Sequence, residues 1–200
     1  MKLRVVRETP EIYLTLTKPW IDSIDHQKVN SWIYNVLDGS KEVENQLYND
    51  SDLVFSKDWE FNEGDIETLY CLAMPKQLDP PLRSIRDLNR THLPLLKSIR
   101  KNSLEAIQKK FGLAPTQVRA FFHYLPTYFH LHVHFVHAKL LQKASTHVGR
   151  AVLLDDVIDN IEHFSPDKET GNFYQVKTMT IDIKEGTKIC EIYKKNGIII

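Results

Sequence analysis

Residues 121–137 read Phe-Phe-His-Tyr-Leu-Pro-Thr-Tyr-Phe-His-Leu-His-Val-His-Phe-Val-His and hold five of the chain's nine histidines. At their centre, His130, His132 and His134 are separated by single apolar residues. Successive side chains of a β-strand point to opposite faces, so the three imidazoles share one face while Leu131, Val133 and Phe135 share the other. With the apolar face in a core, the imidazoles converge on one small volume. Neutral imidazole near pH 7 suits nucleophilic attack and proton transfer. Three readings stand at this point. His-x-His on a strand can offer nitrogens to Zn²⁺. Alternatively, one histidine attacks an electrophile while its neighbours orient it and hold the ligand's charge. The third is a buried polar ladder without chemistry, and spacing alone does not choose among them.

The elements that must position these residues follow from periodicity and punctuation. Residues 11–17 alternate and are β-prone, which predicts a strand. Residues 25–37 place Val29, Trp32, Ile33, Val36 and Leu37 at helical spacing behind an Asp25 cap. Short apolar runs at 53–55 and 68–74 follow, the second stopped by Pro75. Residues 84–88 form a turn or short helix. The longest helical pattern, 91–111, is capped by Thr91 and stopped by Gly112. Residues 117–125 and 130–138 read as strands broken at Pro126. A helix at 151–161, a strand at 176–183 and a helix at 187–195 complete the chain. Strands and helices do not alternate in strict βαβ order, so an α+β fold with an antiparallel sheet and flanking helices is expected.

The 200 residues suit one domain, and an apolar content of 42% is ample for its core. Twenty-six basic residues against 26 acidic ones leave no net charge to hold a long nucleic acid, so any nucleotide ligand is small or locally bound. Cys71 and Cys190 are too few for a disulfide framework and point to a reducing compartment. No run has signal-peptide or membrane-spanning character. A cytoplasmic and possibly also nuclear protein is expected.

His130-Leu-His-Val-His-Phe-Val136 is the histidine-triad pattern, and the longer phrase His123-Tyr-Leu-Pro-Thr-Tyr-Phe-His-Leu-His-Val-His-Phe135 resembles the scavenger mRNA decapping enzymes. Trp32-Ile-Tyr-Asn-Val-Leu-Asp38, Arg83-Ser-Ile-Arg-Asp-Leu88, His92-Leu-Pro-Leu-Leu96 and Gly149-Arg-Ala-Val-Leu-Leu154 support the resemblance in the same order. It implies a histidine-triad fold that hydrolyses the triphosphate bridge of m7GpppN cap fragments to m7GMP through a covalent nucleotidyl-histidine. His132 is then the nucleophile. His123, His130 and His134 orient it or contact phosphate, together with Thr127, Tyr128 and Arg150. Trp32 stacks on the methylated base, whose positive charge favours an aromatic face, and Glu42 and Asp58 accept hydrogen bonds from it. No metal or other cofactor is implied. The partners are a capped dinucleotide or short capped oligoribonucleotide and, in a homodimer, a second copy of the chain.

The chain departs from that family in two places. Where the family reads Asp-Leu-Lys-Trp, this chain reads Asp58-Trp59-Glu60-Phe61. Trp59 can complete an aromatic sandwich around the base, whereas Glu60 sets a negative charge beside a polyanion. A unit-charge contact at ~4 Å and an effective dielectric near 20 is worth roughly 4 kcal/mol before screening. Lys57 is an unsuitable substitute if strict alternation puts it on the opposite face. The second departure is length: family members usually carry an N-terminal, domain-swapped lobe that closes over the site. The expectation here is a single catalytic domain over 1–200, with 1–22 as a hinge or dimer-contact element, and either a natural short form or a truncation. Loss of the lid would weaken water exclusion and cap specificity. Two alternatives to this reading remain: a cap- or nucleotide-binding pseudoenzyme, and, less favoured, a metal-dependent hydrolase using His130, His132 and His134.

Overall fold

A computed structural model describes residues 2–76, 79–140, 149–167 and 171–200. The expected α+β architecture is present. Six antiparallel strands, β2 (Gln46–Asn49), β3 (Leu53–Lys57), β4 (Tyr70–Pro75), β5 (Val118–His123), β6 (Val133–His137) and β7 (Ala151–Leu153), lie in the order β2-β3-β4-β6-β5-β7. A separate antiparallel pair joins β1 (Leu3–Glu8) to β8 (Met179–Lys184).

Strand alternation sorts the main sheet into two faces. Phe55, Cys71, Ala73, Phe122, Val133 and Phe135 belong to the large core. On that face α5 (Leu93–Phe111) contributes Leu96, Ile99, Leu104 and Ile107, and α6 (Leu154–Phe164) contributes Leu154, Val157, Ile158 and Ile161. The opposite face carries Val54, Met74, Tyr70, Phe121 and Val136 in two smaller clusters. Helix α4 (Ser31–Leu37) lies over part of it, packing Ile33 and Val36 on Val54 and Met74. The register pairs Leu72 with His134, and Phe121 with the same His134, which makes one row across β4, β6 and β5. The candidate reaction centre therefore lies on the face opposite the long helices.

The two sheets are tied by a charged group with no exposed surface. Glu8 of β1 meets Arg86 at 2.5 Å, with both side chains at 0% exposure. Its carboxylate also accepts from Tyr124, Tyr193 and Thr17. Arg86 is further satisfied by the Tyr174 and Lys177 carbonyls. A buried ion pair survives desolvation only with this completeness of hydrogen bonding.

Several elements differ from the expected ones. Residues 11–17 are helical: α1 (Pro10–Ile12), a π-helical turn (Tyr13–Thr17) and α2 (Lys18–Asp22) run on from a Thr9 cap, whose hydroxyl accepts from the Ile12 N–H at 3.2 Å. Thr9-Pro10-Glu11 is a helix start with proline and an acid in the first turn, and it overrides the alternation that follows. The strand lies earlier, at β1. The expected helix at 25–37 is capped by Asp25 but is divided at Asn30 into α3 (His26–Val29) and α4. Gly112, at φ +72°, stops α5 as expected; Asn89, rather than Thr91, caps the turn that leads into it. Ala151–Leu153 is strand β7, and only from Leu154 is the chain helical. Residues 176–178 precede the last strand, with Val176 closing the short helix α7 (Phe173–Val176). The final helix α8 (Lys188–Lys195) lies where expected, with Thr187 as its cap.

Candidate active site

A cavity of about 630 Å³ opens between α4, the turn after β3 and the exposed face of β4, β6 and β5. Trp32, Glu42, Asp58, Trp59, Thr127, Tyr128 and Arg150 all line it, with His123, His132 and His134.

The histidine arrangement differs from strict alternation in one respect. Strand β6 begins at Val133, so His130 and His132 both precede it; the His132 ring lines the cavity with His134, whereas the His130 ring does not. Its Nε2 lies 2.9 Å from the Pro75 carbonyl and its ring meets Tyr34 edge-on, away from the cavity lining. His123, at the end of β5, fills the third place. Its ring centroid is 4.0 Å from that of His134, and His134 lies 4.9 Å from His132. Among the described residues, the trio that could hold a metal is therefore His123, His132 and His134, not the trio expected from spacing; one nitrogen from each lies within 4.8 Å of the others.

His132 is chemically the best defined of the three. Its Nδ1 is 2.7 Å from the carbonyl oxygen of His130. A carbonyl only accepts, so Nδ1 carries the proton and the lone pair is on Nε2. Burial holds its pKa down to about 4, so the ring is neutral at pH 7. His134 is likewise pushed well down, first by burial and then by the neighbouring His132, His123 and Arg150. Its Nδ1 faces the Tyr70 hydroxyl at 3.0 Å, Phe121 stacks on it, and its buried Nε2 has no hydrogen-bond partner among the described residues.

The two sides of the cavity carry different charge. The Asp58 carboxylate accepts the Glu60 N–H at 2.9 Å in the turn that follows β3. That turn cancels the expected alternation: Lys57 and Glu60 line the same cavity, with Lys57 paired to Glu63 at 2.5 Å. Glu42 enters from a left-handed backbone, φ 57°, a conformation costing roughly 1–3 kcal/mol in a non-glycine residue. On the far side, Arg150 leads into β7 and donates to the Thr127 hydroxyl at 3.2 Å, while its buried Nε has no partner among the described residues. Four strand spacings from β3 to β7 put roughly 19 Å between the acidic turn and the edge that carries Arg150.

The aromatic groups are also unequal. Trp32 is half-buried, meeting Tyr128 edge-on at 5.1 Å, whereas Trp59 is 88% exposed at the cavity rim. Tyr70, Ser56, Leu72 and Met74 also line the cavity without having been singled out from sequence. Period-two reading of 68–74 would have placed Tyr70, Leu72 and Met74 on one face, but nothing in the sequence says which histidine Tyr70 meets.

The family model described as "Scavenger mRNA decapping enzyme C-term binding" matches residues 31–148. The m7GpppX diphosphatase of Ascaris suum is 41% identical over 90% of this chain and 58% of its own length. The m7GpppX diphosphatases of Caenorhabditis elegans and Homo sapiens are 38% and 32% identical, each over 96% of this chain and over 59% and 55% of their own lengths. The chain thus spans a little over half the length of these relatives. Among solved structures, the aprataxin ortholog Hnt3 from Schizosaccharomyces pombe aligns over 82% of this chain and 90% of its own, at 14% identity and a TM-score of 0.49.

Proposed function

The chain belongs to the scavenger mRNA decapping enzyme family, and on that premise we propose that it hydrolyses the triphosphate bridge of m7GpppN cap fragments, with His132 as nucleophile. The observation that carries this reading is the bond between His132 Nδ1 and the His130 carbonyl, which leaves a neutral Nε2 lone pair on a cavity-lining ring. In the first step that lone pair attacks the phosphorus next to methylguanosine. An N–P bond forms, the bridging P–O bond breaks, and its electron pair departs with the nucleoside diphosphate. Water then attacks the same phosphorus, the N–P bond breaks, and m7GMP leaves as the water proton passes to solvent.

Phosphoryl transfer depends mainly on positioning and charge stabilisation. The His134 and His123 rings stand beside His132, and Arg150 lines the same cavity, to take phosphate charge, and the His130 carbonyl stabilises the ring as it becomes cationic. Trp32 and Trp59 take the methylated base, whose positive charge is complementary to the Glu42 and Asp58 side of the cavity. The substrate is a capped dinucleotide or short capped oligoribonucleotide, and the acting form is a homodimer.

A second reading, cap binding with little turnover, is favoured by one observation: Glu60 lines the same cavity as the phosphate-binding groups. Incubation with m7GpppG, with and without EDTA, separates the cases. Release of m7GMP that resists EDTA is expected. Binding without release would establish the second reading, and turnover lost to the chelator would establish a metal-dependent hydrolase instead.

A further inference from the structure

We propose that His123, His132 and His134 also bind a divalent transition-metal ion, with Zn²⁺ the best-suited, and that the bound ion blocks the active site. The blocking half of this inference rests on the nucleophile reading above; the binding half does not.

Three imidazole nitrogens within 4.8 Å of one another, all on buried residues, are a donor set of the kind that holds Zn²⁺ and leaves a fourth position open. Zn–N bonds of about 2.1 Å require the three nitrogens to draw closer than this, to roughly 3.4 Å, through rotation of the rings. Two of the rings are already held from behind. His132 donates from Nδ1 to the His130 carbonyl, and His134 Nδ1 meets the Tyr70 hydroxyl. Such outer partners fix ring orientation at metal centres and leave Nε2 for the ion.

The His134 Nε2 supplies an independent sign. It is buried, lines the cavity and has no hydrogen-bond partner among the described residues, although buried polar atoms almost always have one. A coordinated ion satisfies it. No carboxylate belongs to the trio, and Arg150 lines the same cavity, so the open position is filled by an anion such as chloride, hydroxide or phosphate.

Coordination engages the same Nε2 lone pair of His132 that nucleophilic attack requires. One lone pair cannot serve both, so an ion on this trio inhibits. A metal-dependent hydrolase would show the opposite sign, because its ion would activate water.

The test uses the full chain, stripped of metal, with Co²⁺ as a coloured probe. The expected result is one equivalent of Co²⁺ giving the intense visible absorption of a tetrahedral ion, bleached by Zn²⁺ and lost in His123→Ala and His134→Ala. Because either variant can fail to fold, Zn²⁺ is also titrated into ¹⁵N-histidine-labelled wild-type protein. The ring nitrogens of these three residues should shift together, and those of His26 and His92 should not. Absence of a stoichiometric tetrahedral spectrum, or Zn²⁺-dependent shifts at other histidines alone, overturns the site. Saturating Zn²⁺ should lower m7GpppG turnover at least tenfold, and EDTA should restore it; turnover that rises with Zn²⁺ overturns the inhibition. Should the chain show no turnover at all, the decapping reading fails while the Co²⁺ spectrum and the histidine shifts still decide the site.

Discussion

The Nδ1 of His132 and the main-chain carbonyl of His130 lie 2.7 Å apart, so a residue's backbone, not its ring, sets the tautomer of its neighbour but one. The His130 ring itself turns to Pro75 and Tyr34. The two histidines should therefore respond differently to truncation. His132→Ala is expected to abolish m7GMP release, by at least a thousandfold. His130→Ala keeps the carbonyl and should retain turnover within about tenfold, while losing about 1 kcal/mol of stability with the ring's hydrogen bond to Pro75. Equal losses of activity in the two variants, with both folded, would show that the His130 ring takes part directly.

Acid should destabilise the chain before it protonates the nucleophile. The His132 pKa falls from an ordinary 6.5 to about 4, and burial also lowers those of His130 and His134. Between pH 6.5 and 4 the unfolded chain binds more protons than the folded one, so stability rises with pH across that window and is lost on acidification. His132 alone corresponds to roughly 3 kcal/mol over the window. Urea melts at pH 7 and pH 5 should show a lower midpoint at pH 5. A midpoint that does not change would mean these rings are protonated in the folded state.

Trp59 and Trp32 should separate binding from stability. Trp59 is 88% exposed, so Trp59→Ala is expected to leave the melting temperature within about 1 °C while weakening m7GpppG binding. Trp32 packs against the Ile33, Val36, Val54 and Met74 cluster, so Trp32→Ala should lower both. If both rings hold the methylated base, m7GpppG should quench tryptophan fluorescence with a five- to thirty-fold preference over GpppG, the ratio that roughly 1–2 kcal/mol of cationic stacking in total gives. Equal affinity for the two caps would refute the clamp.

Glu60 provides a charge test. It lines the cavity near Lys57, which is already paired with Glu63. Glu60→Lys should raise cap affinity severalfold, with Glu60→Gln between it and the wild type, and added salt should narrow the differences by screening. No effect of either substitution at low salt would place the carboxylate outside the phosphate path.

The class of fold and many of the cavity's polar and aromatic residues were legible from local patterns and from the family resemblance; the partnering within the site was not. Alternation put His132 and His134 on one face correctly but also included His130, because nothing local shows that the His130 ring turns to the Pro75 carbonyl. His123 entered through the resemblance, and only the register of β5 against β6 brings it to His134. Lys57 was assigned to the wrong face because the strand ends there and a turn follows. At residues 11–17 an alternating pattern coincided with i,i+4 spacing, and the Thr9-Pro10 start decided for helix. The Glu8–Arg86 pair joins positions 78 residues apart, and long-range pairing of that kind is invisible to periodicity.

The central claim, that phosphorus passes through a bond to the protein, is tested most directly by the stereochemical course of hydrolysis. A cap analogue made chiral by sulfur and oxygen isotopes at the phosphate next to methylguanosine would be hydrolysed, and the configuration of the m7GMP product determined. Attack by His132 followed by attack by water comprises two inversions, so net retention is predicted. Net inversion would mean that water attacks the triphosphate in a single step, and would contradict a covalent nucleotidyl-histidine.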